Sequence, residues 1–177
     1  MDARNPHDER QVSGHSGPAL TLSGVSRQFG AVRALDDVSL DVHAGEIICL
    51  VGHSGCGKTS LLRIIAGIDA PDSGTLTMGG KTLVGPSIFI EPEKRNVGVV
   101  FQDYALFPHL TVKENILFGL RRIPRDEANA RATELLELVS LSHMADRYPH
   151  MLSGGEQQRV ALIRALAPNP HLLLMDE

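Results

Sequence analysis

No window of this 177-residue sequence approaches the roughly 20 consecutive apolar residues that a membrane-spanning helix requires. The polar start, residues 1–17, lacks the apolar centre of a signal peptide, so the expected location is the cytosol. Cysteine is scarce. Of the two, Cys49 sits in an apolar run and is expected in the core, while Cys56 lies in a glycine-rich loop, and no disulfide between them is expected. Basic residues are also too few for a broad nucleic-acid footprint: 17 Lys+Arg against 21 Asp+Glu gives a net charge of −4. Internal repeats and low-complexity tracts are absent. What is present, 42% hydrophobic residues over this length, suffices to bury the core of one globular domain with a small lobe attached.

Residues 1–17 carry almost no large apolar side chains and cannot offset their ordering entropy, so they are expected to form a flexible tail ahead of a domain over 18–177. Residues 20–29 and 34–42 alternate apolar and polar with Gly30 between them, the pattern of an antiparallel strand pair. Residues 47–51 are apolar without alternation and predict a strand buried on both faces. Residues 75–78 and 81–84, joined by Gly79-Gly80, predict a hairpin. A second short buried strand is expected over 96–101. Helical periodicity follows over 112–120, opened by the capping box Thr111 to Glu114, and over 126–139. A further helix is expected after Ser153, then a buried strand from His171 that ends in Asp176 and Glu177. The fold class is α/β with a helical insertion over about 102–159.

The chemistry concentrates in Gly52-His53-Ser54-Gly55-Cys56-Gly57-Lys58-Thr59, a complete GxxxxGK[ST] string followed by the helix-like Ser60-Leu61-Leu62. A phosphate loop needs a strand to deliver it, glycines that let backbone N–H groups wrap an anion, and a helix N-terminus aimed at that anion. All three are expected here. Lys58 would reach the β- and γ-phosphates as a point charge and the Thr59 hydroxyl would ligate Mg²⁺. The competing reading is a glycine-rich turn with an incidental lysine, and the strand–loop–helix frame argues against it.

A strand ending in Asp176-Glu177 is by itself an ordinary place for carboxylates to reach solvent; beside a phosphate loop it becomes the second half of a nucleotide site. Asp176 would position Mg²⁺ and Glu177 would orient and deprotonate water. Leu152-Ser153-Gly154-Gly155-Glu156-Gln157 is a capping box with two glycines inside it, which expose consecutive N–H groups at a positive helix end as a second anion site. Gln102, directly after the strand at 96–101, has an amide able to touch Mg²⁺ or water, although a glutamine there is also an ordinary solvated strand end.

These four elements in this order resemble the ATP-binding cassette (ABC) ATPases, the motor subunits of membrane transporters, over a span from about Leu20 to Glu177. The resemblance implies a P-loop NTPase (RecA-like) core with an N-terminal antiparallel β lobe and an inserted helical lobe. It makes 52–59 the Walker A loop with Ser60 beside it, Gln102 the Q-loop residue, Leu152–Gln157 the LSGGQ-like signature, and 172–177 Walker B with Glu177 as catalytic base. Phe29, in the turn Arg27-Gln28-Phe29-Gly30, matches the aromatic that stacks on adenine, against an equally ordinary role as a strand-end core residue. The segment from Asp103 to Val112 is similar to the part of bacterial importer ATPases that faces the transmembrane subunits, and residues 91–98 look most like the ferric iron branch; polyamine, sulfate, phosphonate and sugar importers are the alternatives.

The implied partners are a second ATPase subunit, which the signature residues Ser153, Gly154 and Gly155 would serve in trans, permease subunits in the membrane and, indirectly, a solute-binding protein. The implied cofactors are ATP and Mg²⁺, and the implied location is the cytoplasmic face of the cell membrane. The family pattern continues beyond Walker B with a D-loop, a switch histidine and further strands. The sequence is therefore expected to hold an incomplete sheet, and the chain as given to bind MgATP yet turn it over poorly. A nucleotide-binding module without turnover is the corresponding alternative.

Overall fold

Leu20, Leu22 and Val25 point to one side of the first strand and are all but removed from solvent, while Ser23 and Phe29 lie exposed. The computed structural model describes residues 17–176; the expected tail, apart from Gly17, and Glu177 lie outside the described residues. Strand β1 (Leu20–Phe29) pairs antiparallel with β2 (Val32–Val42), with Leu20 opposite Val42 and Phe29 opposite Val32. The other edge of β1 takes β3 (Ser73–Met78), which continues through Gly79-Gly80 into β4 (Lys81–Gly85) and then β5 (Ile88–Phe89). The result is a five-stranded antiparallel sheet in the order β2-β1-β3-β4-β5.

A second sheet holds two parallel strands, β6 (Val97–Val100) and β7 (Leu172–Met175), with Val97 opposite Leu172 and Val100 opposite Met175. Helix α1 (Lys58–Ala66) packs Leu61, Ile64, Ile65 and Ala66 into the core shared with β1, β3, β4 and Leu174 of β7. Burying each of the larger of these side chains is worth roughly 1.5–3 kcal/mol. That is what fixes the helix against both sheets.

The helices gather a second core. Helices α2 (Val112–Phe118), α3 (Arg125–Leu138) and α4 (Gly154–Leu166) bring together Val112, Ile116, Ala132, Leu135, Val160 and Ile163. Capping boxes start α2 and α4: the Thr111 and Ser153 hydroxyls accept from the backbone N–H of Glu114 and Glu156, whose carboxylates accept from the N–H groups of Thr111 and Ser153 in return. The opposite face of α4 lays Ala161 and Ala165 against Val100, so this one helix touches both the helical core and the parallel sheet.

One expected element is not there. Residues 47–51 form no strand, and Ile47 and Val51 are 95% and 91% exposed. The unbroken apolar run marks a segment suited to burial on both faces, but among the described residues no strand lies beside it to exchange backbone hydrogen bonds. Cys49, expected in the core, is exposed for the same reason.

Candidate nucleotide site

The loop entering α1 winds through two left-handed glycines, Gly55 at φ 80° and Gly57 at φ 96°. Gly57 leaves no room for a side chain, because a Cβ there would lie 2.2 Å from the Ala34 carbonyl oxygen. No side chain caps α1 and its first turn holds no acidic residue, so the positive end of the helix faces the loop uncompensated. Lys58 is the first residue of that helix. Its ammonium donates to the carbonyl oxygens of Gly52 at 2.8 Å and His53 at 2.9 Å, and lies 3.5 Å from the Cys56 sulfur. The loop thus closes around its own cation. Ser54 and Cys56 are exposed on it, and Ser60 is half-buried in the first turn of α1.

The next residue reaches the end of β7. The Thr59 hydroxyl donates to the Asp176 carboxylate at 3.0 Å, joining residues 117 apart in sequence. Asp176 is held there by the parallel sheet, since its N–H donates to the Val100 carbonyl at 3.0 Å. A hydroxyl and a carboxylate oxygen at this separation are hard donors of the kind Mg²⁺ takes when phosphates and water complete its shell, so the residues present fit that ion.

Because Val100 stands opposite Met175 in parallel register, Gln102 and Asp176 leave the same end of the sheet. Gln102 is exposed in the turn that closes with Tyr104 N–H donating to the Phe101 carbonyl, and it makes no hydrogen bond to Thr59 or Asp176. Ser153, Gly154 and Gly155 sit exposed at the start of α4, and no hydrogen bond ties them to the phosphate loop. The Glu156 carboxylate is held below the usual carboxylate range by the Ser153 hydroxyl and N–H that it accepts. Phe29 is 46% exposed at the end of β1, with the Arg27 guanidinium carbon 4.7 Å over its ring, so it is not a core aromatic. Glu177 falls outside the described residues.

The chain is similar to known proteins in sequence and in fold. The model of the ABC transporter family matches residues 35–177. The chain belongs to the ABC transporter family. The sulfate/thiosulfate import ATP-binding protein CysA of Thermosynechococcus vestitus is 51% identical over 160 residues, covering 89% of this chain and 46% of that protein. The spermidine/putrescine import ATP-binding protein PotA of Nitrosospira multiformis is 53% identical over 160 residues, covering 89% of this chain and 43% of that one. The chain therefore spans about half the length of the curated relatives it matches. Among solved structures, the ATP-binding cassette MJ0796, a dimer in a post-hydrolysis state bound to ADP and Pi, superposes with a TM-score of 0.78 at 34% identity, covering 89% of this chain and 73% of that one. CbiO1 from Clostridium perfringens, part of the ABC transporter complex CbiONQ, gives 0.78 at 28% identity, covering 91% and 66%. The fold is that of an ABC ATPase domain. None of these names speaks of ferric iron.

Three polar side chains of this ABC domain escape a reading of its motifs. Asn115 of α2, fully buried, accepts from the Phe107 N–H and donates to the carbonyls of Phe107, Leu110 and Thr111. Arg95, also buried, grips the far end of α1. Arg164 of α4 reaches the turn after Gln102. No local sequence signal marks the two arginines, whose partners on α1 and in the turn after Gln102 lie 30 to 60 residues back.

Proposed function

We propose that this chain is the ATP-binding and ATP-hydrolysing unit of an ABC importer. The observation that carries the reading is the 3.0 Å bond between Thr59 and Asp176, which joins a phosphate loop to the carboxylate end of the parallel strand β7. On this reading Lys58 leaves the carbonyls of Gly52 and His53 and turns to the β- and γ-phosphates, while the loop N–H groups and the α1 terminus hold the phosphate oxygens. Thr59 and Asp176 would hold Mg²⁺, with Gln102 approaching from the same end of the sheet. That ion, when bound, would offset the negative charge of the phosphate oxygens. Glu177 takes the proton of the attacking water, and Phe29 offers its exposed ring to adenine.

In the working assembly the Ser153-Gly154-Gly155 end of α4 closes over the nucleotide of a second copy, and residues 103–112 face permease subunits at the cytoplasmic side of the membrane. Among the described residues no helix is long and apolar enough to cross a membrane. For the solute, the relatives' names favour sulfate/thiosulfate or a polyamine over the ferric iron branch that residues 91–98 resemble. The test is phosphate release from MgATP by the full-length protein beside its Lys58→Ala and Glu177→Gln variants. Loss of at least about a hundredfold in each variant is expected; turnover at the wild-type rate in either would overturn the assignment of that residue.

A further inference from the structure

Two consecutive residues that are not glycine, Tyr104 at φ 61° and Ala105 at φ 44°, hold left-handed backbone two and three positions after Gln102. Each such residue opposes the fold by a factor of roughly five to thirty unless something fixes it. The fixing group is in the structure: Arg164 Nη1 donates to the Ala105 carbonyl at 2.6 Å and Nη2 to the Tyr104 carbonyl at 3.1 Å. The guanidinium carbon also stands 5.5 Å from the centre of the Phe107 ring, which packs on Phe118 of α2. One planar fork thus holds two adjacent carbonyls that a point charge would not fit equally well.

Arg164 lies ten residues along α4 from Gly154, about 15 Å down the axis. The same rigid helix carries the glycine-rich anion end at its start and this grip near its finish. We propose that Arg164 is a positioning residue, a latch by which the signature helix sets the turn that carries Gln102 and, beyond it, the segment 103–112. It touches neither nucleotide nor metal; it acts through the backbone of Tyr104 and Ala105. Its effect on turnover rests on the function proposed above, whereas the latch itself does not.

The experiment uses the full-length protein with Arg164→Ala, Arg164→Lys, Ala105→Gly and the Arg164→Ala/Ala105→Gly pair, read by amide hydrogen exchange and by steady-state kinetics. Loss of a charged fork predicts at least about tenfold faster exchange at residues 103–106, with the amides of α4 within about twofold of wild type. It predicts a kcat lowered about tenfold or more with ATP affinity nearly unchanged. Arg164→Lys falls between, and it decides the matter alone if Arg164→Ala fails to fold. Ala105→Gly, which relieves the left-handed strain, recovers several-fold of kcat in the Arg164→Ala background, a coupling that a merely structural arginine would not show. Unchanged exchange at 103–106, exchange rising along all of α4, or no recovery in the pair would overturn the latch. A wild-type protein without ATP turnover would sink the proposed function and leave the exchange result to judge the latch.

Discussion

Replacing Arg95 by methionine removes a buried cation while keeping most of its volume, and the structure fixes what that costs. Arg95 is 1% exposed; Nη1 donates to the carbonyls of Ile64 at 2.7 Å and Ile65 at 3.1 Å, and Nε donates to the Ile90 carbonyl at 2.6 Å. The first two are last-turn carbonyls of α1; that of Ile64 also accepts from the Gly67 N–H, so it is the Ile65 and Ile90 carbonyls that lose their partner with Arg95. Orphaning buried acceptors costs roughly 1–3 kcal/mol each, and loss of a cation at the helix C-terminus adds about 0.3–1 kcal/mol. Against this, burial pushes the guanidinium's pKa below its ordinary value and Nη2 has no partner, so methionine relieves a charge that is expensive to bury. The net expectation is roughly 2–4 kcal/mol of destabilisation, read as a lower urea midpoint at constant slope. Gly67 supplies the control. A Cβ there would lie 2.4 Å from Arg95 Nε at φ 84°, so Gly67→Ala should be much less harmful in Arg95→Met than in wild type, leaving about 1–2 kcal/mol of left-handed cost. A loss under about 1 kcal/mol for Arg95→Met, or strictly additive variants, would refute this reasoning.

Two further outcomes follow from the site. Cys49 and Cys56 are both exposed, so a thiol reagent should label both, and MgATP should protect Cys56 alone because its loop wraps the phosphates; equal labelling with and without nucleotide would remove Cys56 from the site. For pH, the Glu156 carboxylate sits below its ordinary pKa by accepting from Ser153, and Glu114 likewise by accepting from Thr111. Their folded values being depressed, their contribution is fully present above the ordinary carboxylate pKa of about 4.3 and is lost as pH falls through the lower folded values. Helicity followed from about pH 6 to about pH 3 should therefore decline, with a smaller decline in the Glu114→Gln/Glu156→Gln pair.

The elements that carry their own periodicity are legible in the sequence. Helix α1 contains the expected helix-like run from Ser60, starting two residues earlier at Lys58, β1 runs over the expected Leu20–Phe29, and both capping boxes close as their spacing implies. Thr59 and Asp176, 117 residues apart, are paired in expectation by chemistry rather than pattern, since a loop hydroxyl and a strand-end carboxylate are both fit to hold one ion. Residues 47–51 show the limit of that logic: an apolar run states that a segment is fit for burial, but not which strand lies beside it. Arg95 and Arg164 show another. A lone arginine in a loop or helix looks solvated until the fold brings carbonyls to it, 30 and 31 residues back for Arg95 on α1 and 59 and 60 back for Arg164. Nothing local announces contacts of that range.

The central claim is that residues 52–59 hold a nucleotide's phosphates with Asp176 at hand for the metal, and titration of the protein with ATP, with and without Mg²⁺, tests it most directly. The account predicts saturable binding that strengthens with Mg²⁺, falls sharply in Lys58→Ala without loss of fold, and loses its Mg²⁺ dependence in Asp176→Asn. ATP affinity unchanged in a folded Lys58→Ala protein would contradict it.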